Sequence, residues 1–260
     1  MFWKRIGLYL LTNLVVLLVL GAVVSITGLD TGLSAYGLNL GALLVFSAIF
    51  GFGGALISLG LSRWMAKRAF GVVVIPPHSS DPQGRWLVET VARLARNAGL
   101  PATPEVGVYA SDKVNAFATG PSASRSLVAV STGLLARLDR REVEGVLGHE
   151  VAHIANGDMV TMTLLQGVLN TFVIFLSRVL GFVIGRAVGG RGEGLVRLLA
   201  ILILQVPFGI LASLVVAAFS RMREFRADAG GARLAGRDAM LGALLRLRLH
   251  ATAVENARPA

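Results

Sequence analysis

His149-Glu150-Val151-Ala152-His153 sets two imidazoles four residues apart. On an α-helix that spacing returns both to nearly the same face, one turn apart. One zinc ion can then take a nitrogen from each. Glu150 is not needed as a ligand. It stands where it can take a proton from a water at the metal. A histidine pair alone leaves the metal short of ligands, so a third comes from elsewhere and a fourth position stays open for water. The competing reading is a surface helix with two solvated histidines. Only four histidines occur, His78, His149, His153 and His250, and two of them take this spacing.

Composition narrows the choice. The 260 residues are 54% hydrophobic and 15% charged, too apolar for an ordinary soluble protein. The length suits one or two domains. The absence of cysteine excludes disulfides, thiolate ligands and cysteine nucleophiles. A metal must be held by histidine and carboxylate, which suits catalytic zinc better than a structural site. The net charge of +10 would suit nucleic acid. Many of the basic residues flank apolar runs, however, where the positive-inside rule and anionic headgroups account for them. A lipid bilayer is therefore the expected partner, and nucleic acid is not.

Working outward from the histidine pair, four apolar runs frame the chain. The first, Ile6 to about Ile26, follows Lys4 and Arg5 and is long enough to cross a bilayer. A cleaved signal peptide is its rival reading. The second runs from about Tyr36 to Leu61, with Gly51, Gly53 and Gly54 suited to helix interfaces in membranes, and ends in the basic cluster Arg63 to Arg68 around Trp64. The turn between them holds no Lys or Arg, which predicts a hairpin with both ends in the cytoplasm. The third run, about Leu164 to Gly185, contains Arg178. The fourth, about Leu195 to Phe219, contains Arg197 and Pro207. Arginines are expensive in lipid unless they face protein or snorkel. A second spanning hairpin is expected here, with packing on the cytoplasmic domain as the alternative.

Between the second and third runs the texture is mixed. Val72 to Ile75 reads as extended. Asp81-Pro82 opens an amphipathic helix with Leu87, Val91 and Leu94 on one face. Strands are expected at Val106 to Tyr109, Val114 to Thr119 and Leu127 to Ser131, with the turn between the last two at Gly120 to Ser126. Thr132 is expected to cap a short helix. Asp139 with Glu142 forms a capping-box pattern that opens the helix carrying the histidine pair.

Beyond the fourth run, Glu224 and Asp228 lie four apart and share a helical face. Glu224 is the best third ligand after the histidines. Asp228 can accept the free ring N–H of a ligand histidine, fixing its tautomer. Taken alone, this pair would read as solvated surface carboxylates among arginines. Joined to the upstream histidines, it reads as a metal site for one zinc per chain.

The set His149-Glu150-Val151-Ala152-His153, Asn156-Gly157-Asp158 and Glu224-Phe225-Arg226-Ala227-Asp228 resembles the HtpX family of membrane-bound zinc endopeptidases, gluzincins related to the CAAX prenyl endopeptidases. The resemblance implies zinc on His149, His153 and Glu224, Glu150 as general base, and Asp228 behind the ligands. It implies a mainly α fold, in which integral-membrane helices from four hydrophobic segments accompany a cytoplasmic gluzincin-like zinc-protease domain with a small β-sheet. The expected division is 1–68 for the first hairpin, 69–162 for the protease domain, 163–219 for the second hairpin and 220–260 for the completing helix. Quality-control proteolysis follows, with misfolded or unfolded membrane proteins as substrates, at the cytoplasmic face of the bacterial inner membrane. Gluzincins resemble one another in pairing substrate with an edge strand, which makes Asn115 and Ala116 the substrate-binding candidates, while Phe117 is expected in the core. Asp158 is expected to cap the next helix, with bracing of the site as its lesser role. Arg226 points away from the Glu224 face, so no residue is assigned to the oxyanion. A catalytically silent scaffold of the same fold is the alternative to the enzyme. Family members continue into a His-Pro-Pro stretch that this sequence lacks, which reads as a shortened C-terminus.

Overall fold

The computed structural model describes residues 37–256. The first apolar run and its turn lie outside them. The described chain divides into two compact units: the residues up to Ser58 with Thr161–Phe219, and Leu59–Val160 with Ser220 onward.

The first unit is made of helix. Helix α1 spans Leu40–Ala69. Helices α5, Asp158–Val188, and α6, Glu193–Ala235, form the later pair. Among the described residues, these three helices are long and apolar enough to cross a membrane. Gly51 lies against Thr171 and Gly167 of α5, the close contact that small residues allow between membrane helices. Among the described residues, a Cβ built on Gly53 or Gly54, expected in the same role, would meet nothing within 4 Å. The connection between the third and fourth apolar runs is short. Helix α5 runs on to Val188, and a 3₁₀ turn at Gly190–Gly192 leads directly into α6. Arg186 pairs with Glu193 at 3.6 Å. The two arginines that are costly in lipid stack on rings, Arg178 over Phe46 at 5.0 Å and Arg197 over Phe182 at 5.8 Å. Pro207 stays within the continuous helix α6.

The second unit contains a four-stranded sheet with order β1-β2-β4-β3. The strands are β1 Val73–Val74, β2 Glu105–Tyr109, β3 Ala116–Ser122 and β4 Arg125–Ser131. Strands β2 and β4 are parallel, and the other pairs are antiparallel. Central β4 is a run of small and branched apolar residues, and Leu127 to Val130 are fully buried. One sheet face packs on α2, Pro82–Asn97, and α4, Arg140–Asn156, through Leu87, Val91, Leu94, Val146, Leu147 and Val151. On the other face, Phe117 stacks with Tyr109 and Phe70 at 5.6 and 5.1 Å. Phe117 is thus packed in the second core, as its chemistry suggests.

Two local expectations change. Strand β3 continues to Ser122 and takes Gly120-Pro121 into an irregularity, so the turn is confined to Ala123-Ser124. Proline is tolerated because it sits in this irregularity, where β3 has no regular ladder partner on β4. The short helix α3, Thr132–Arg137, is capped by Ser131, whose Oγ accepts the Leu134 N–H. Ser131 is the last extended residue, so it occupies the cap position that the sequence reading gave to Thr132.

Candidate metal centre

Helix α4 begins at the Asp139–Glu142 capping box, with both reciprocal bonds made at 2.8 and 2.9 Å. It ends at Gly157, whose φ of +69° is left-handed, a conformation glycine adopts at little cost. That reversal returns the next residue toward the last turn of the helix. Asp158 is buried, with 1% of its side chain exposed, and its Oδ2 lies 2.7 Å from Nδ1 of His153. The brace is therefore the dominant contact of Asp158, which corrects the capping role expected from sequence. The physical reason is the glycine reversal, which no periodicity argument captures.

The matching half comes from the last turns of α6. His149 Nδ1 lies 2.8 Å from Oδ1 of Asp228. Glu224 Oε2 lies 3.3 Å from His149 Nε2 and 3.5 Å from His153 Nε2. Helices α4 and α6 reach this closeness by backbone contact. A Cβ built on Gly231 would lie 2.9 Å from the His149 nitrogen.

The donor set fits a metal ion. One ligand atom from each of His149, His153 and Glu224 lies within 4.8 Å of the others. Each Nδ1 is held by a carboxylate, which leaves each Nε2 free to offer a lone pair. The two Nε2 atoms are 3.0 Å apart and face a common point with Glu224. Burial favours the neutral His153 ring, but the Asp158 hydrogen bond and the charges of Glu150, Glu224 and Asp158 outweigh it and raise its pKa. The surroundings thus hold positive charge at this place.

Glu150 extends from the same helix toward the sheet. Burial pushes its carboxyl above the ordinary glutamate range. The His149 and His153 rings and the Ala118 N–H pull it back, and Glu224 adds to the push. Ala118 lies on β3, at the open edge. Asn115 accepts the Ser131 N–H at 2.9 Å, so the two-residue alternation turns Ala116 and Ala118 outward. Asn115 Nδ2 donates to the Tyr109 hydroxyl at 2.9 Å. Asn115 and Ala116 line a cavity of about 210 Å³ together with His149 and Glu150. Its remaining wall is apolar and includes Leu134, Val146, and Met240, Ala243, Leu244 and Leu247 of the last helix, α7, Arg237–Asn256.

Two arginines border the carboxylates. Arg223 Nη2 donates to Glu224 Oε1 at 3.4 Å, and Arg226 Nη2 lies 3.9 Å from Asp158 Oδ1. The sequence signal for Arg223 is only its adjacency to Glu224, and the Ala118 N–H carries no signal, since any residue but proline at that position would offer one.

Residues 81–252 match the model of peptidase family M48. A Shewanella sp. (strain W3-18-1) Protease HtpX is 56% identical over 251 residues, covering 94% of this chain and 85% of the relative. The chain belongs to the HtpX proteases of peptidase family M48. A Bacillus subtilis (strain 168) Protease HtpX homolog is 53% identical over 258 residues, covering 96% of this chain and 87% of the relative. The crystal structure of S. mikatae Ste24p matches in fold, with a TM-score of 0.57 at 18% identity. The match covers 95% of this chain and 59% of that one. As an M48 peptidase with helices long and apolar enough to cross a membrane, the chain is a membrane metalloendopeptidase.

Proposed function

We propose that this metalloendopeptidase uses one zinc ion held by His149, His153 and Glu224 to cut misfolded or unfolded membrane proteins at the cytoplasmic face of the bacterial inner membrane. The observation that carries the reading is the convergence of two imidazoles and one carboxylate within 4.8 Å, each imidazole backed by a carboxylate. Zinc at such a site supplies Lewis acidity, acidifying a water and polarising a peptide carbonyl. Glu150 takes the proton from the attacking water and delivers it to the leaving amine nitrogen. A raised pKa brings Glu150 closer to the value at which accepting and returning a proton are both efficient. Asp228 and Asp158 hold the ring protons on Nδ1 of His149 and His153.

The open edge of β3 receives the substrate as an added strand. Ala116 offers backbone groups, Asn115 borders the same cavity, and that cavity takes an apolar side chain next to the cut bond. Main-chain pairing asks little of sequence, which suits substrates recognised by being unfolded. The basic cluster Arg63 to Arg68 supports a cytoplasmic site, with 1–68 and 163–219 as membrane hairpins and 69–162 and 220–260 as the protease domain. Glu224 lies five residues past Phe219, and His153 eleven residues before Leu164, at most about 17 Å of helix even without the break at Gly157, which supports a site near the membrane.

The test is Glu150→Gln in the full chain, reconstituted in vesicles with an unfolded membrane-protein substrate. Cleavage should be lost while zinc stays bound. Unchanged cleavage would remove Glu150 from the mechanism. A wild-type chain with no zinc-dependent cleavage would favour the silent scaffold.

A further inference from the structure

The two oxygens of Glu224 have different surroundings. Oε2 faces both imidazoles, at 3.3 and 3.5 Å. Oε1 faces the other way and accepts the Nη2 hydrogen bond of Arg223 at 3.4 Å. Neighbouring residues on a helix do not face each other, so Arg223 must fold along the surface to make this contact. It is held there: only 19% of its side chain is exposed, and its Nε is buried with no partner among the described residues. By contrast, 45% of the Glu224 side chain is exposed, so little else fixes its carboxylate.

We propose that Arg223 is a positioning residue that occupies Oε1 and restricts Glu224 to binding zinc through Oε2 alone. The inference rests on the zinc site proposed above. A carboxylate free to rotate can offer both oxygens to a metal. The second would take the position that a catalytic site keeps open for water or substrate. With Oε1 held by a cation, one oxygen is committed and that position stays free. Arg223 bonds Glu224 rather than the imidazoles and does not line the cavity, so its effect passes through Glu224.

The experiment uses the full chain in detergent, with zinc affinity from chelator competition and the visible spectrum of the cobalt(II)-loaded protein. Arg223→Met removes the donor and keeps the stem. Zinc affinity should rise several-fold, because a neighbouring cation is lost and the freed oxygen adds a donor. The cobalt d–d bands should weaken as the ion gains a fifth donor. Arg223→Lys, with a donor on a long stem, should return both most of the way to wild type, and it carries the test if the methionine variant does not fold. Arg221→Met, which removes an exposed charge two residues away, should change neither. An unchanged affinity and spectrum in Arg223→Met would overturn the proposal, as would an equal change in Arg221→Met. A wild-type chain that binds neither zinc nor cobalt would instead overturn the zinc site itself.

Discussion

Gly231→Ala tests the helix crossing on which the candidate centre depends. In the middle of a helix, replacing glycine by alanine ordinarily stabilises by ~0.5–1 kcal/mol. Here the added methyl would lie 2.9 Å from the His149 nitrogen and 3.1 Å from its Cα, both backbone atoms that cannot swing aside. Ordinary contact begins at 3.4 Å, so α4 and α6 must separate by about 0.5 Å. Overpacking of this kind costs ~1–3 kcal/mol, which outweighs the helix gain. The melting temperature should fall by about 2–4 °C for each net kcal/mol lost. The separation also draws Glu224 and Asp228 away from His149. A misplacement of ~1 Å costs about a hundred-fold in rate, so half of that should cost about ten-fold in kcat/KM. Gly242→Ala is the control, since its methyl would meet only Glu142 Cγ at 3.5 Å, an ordinary contact. Thermal melting in detergent and peptide-cleavage kinetics read both variants. A Gly231→Ala protein that melts higher than wild type with unchanged kcat/KM would refute the backbone contact.

Further outcomes follow from the same geometry. Asp158→Asn keeps the volume but removes the charge behind His153, and zinc affinity by chelator competition should fall about ten-fold or more. In the metal-free protein the Glu150 carboxyl is raised, so the folded state binds more protons than the unfolded one and stability falls as pH climbs above the ordinary glutamate range. Metal-free Glu150→Gln should therefore melt higher than wild type at neutral pH, and the gap should close in acid. Ala116→Pro deletes an outward N–H from the β3 edge while leaving the β4 ladder intact. Steady-state kinetics should show kcat/KM reduced about ten-fold, the worth of one lost hydrogen bond, with the melting temperature little changed.

Helical periodicity reaches the residues that converge at the centre. His149 with His153, and Glu224 with Asp228, are one-turn repeats, so each pair shares a face whatever the tertiary fold. Periodicity ends where the helix ends. Asp158 lies past a left-handed glycine, and its return to His153 is set by one dihedral angle rather than by spacing. Gly120-Pro121 looks like a turn in sequence, but an edge strand accommodates both residues in an irregularity, so β3 runs longer than its composition suggests. Arg186 to Gly194 reads as a loop from its glycines and charges. The helices on either side absorb most of it, because the Arg186–Glu193 pair and a single 3₁₀ turn suffice to reverse the chain. The choice of Gly231 over its neighbours as the crossing point cannot be read from sequence, since it depends on which backbone lies opposite.

The central claim is that His149, His153 and Glu224 together hold one metal ion, and metal content measures it directly. The full-length protein and Glu150→Gln, purified without chelator, should each carry about one zinc per chain by elemental analysis. His149→Ala, His153→Ala and Glu224→Ala should each lose nearly all of it while remaining folded. Full zinc content in Glu224→Ala, or cleavage by a wild-type protein stripped of metal, would contradict the account.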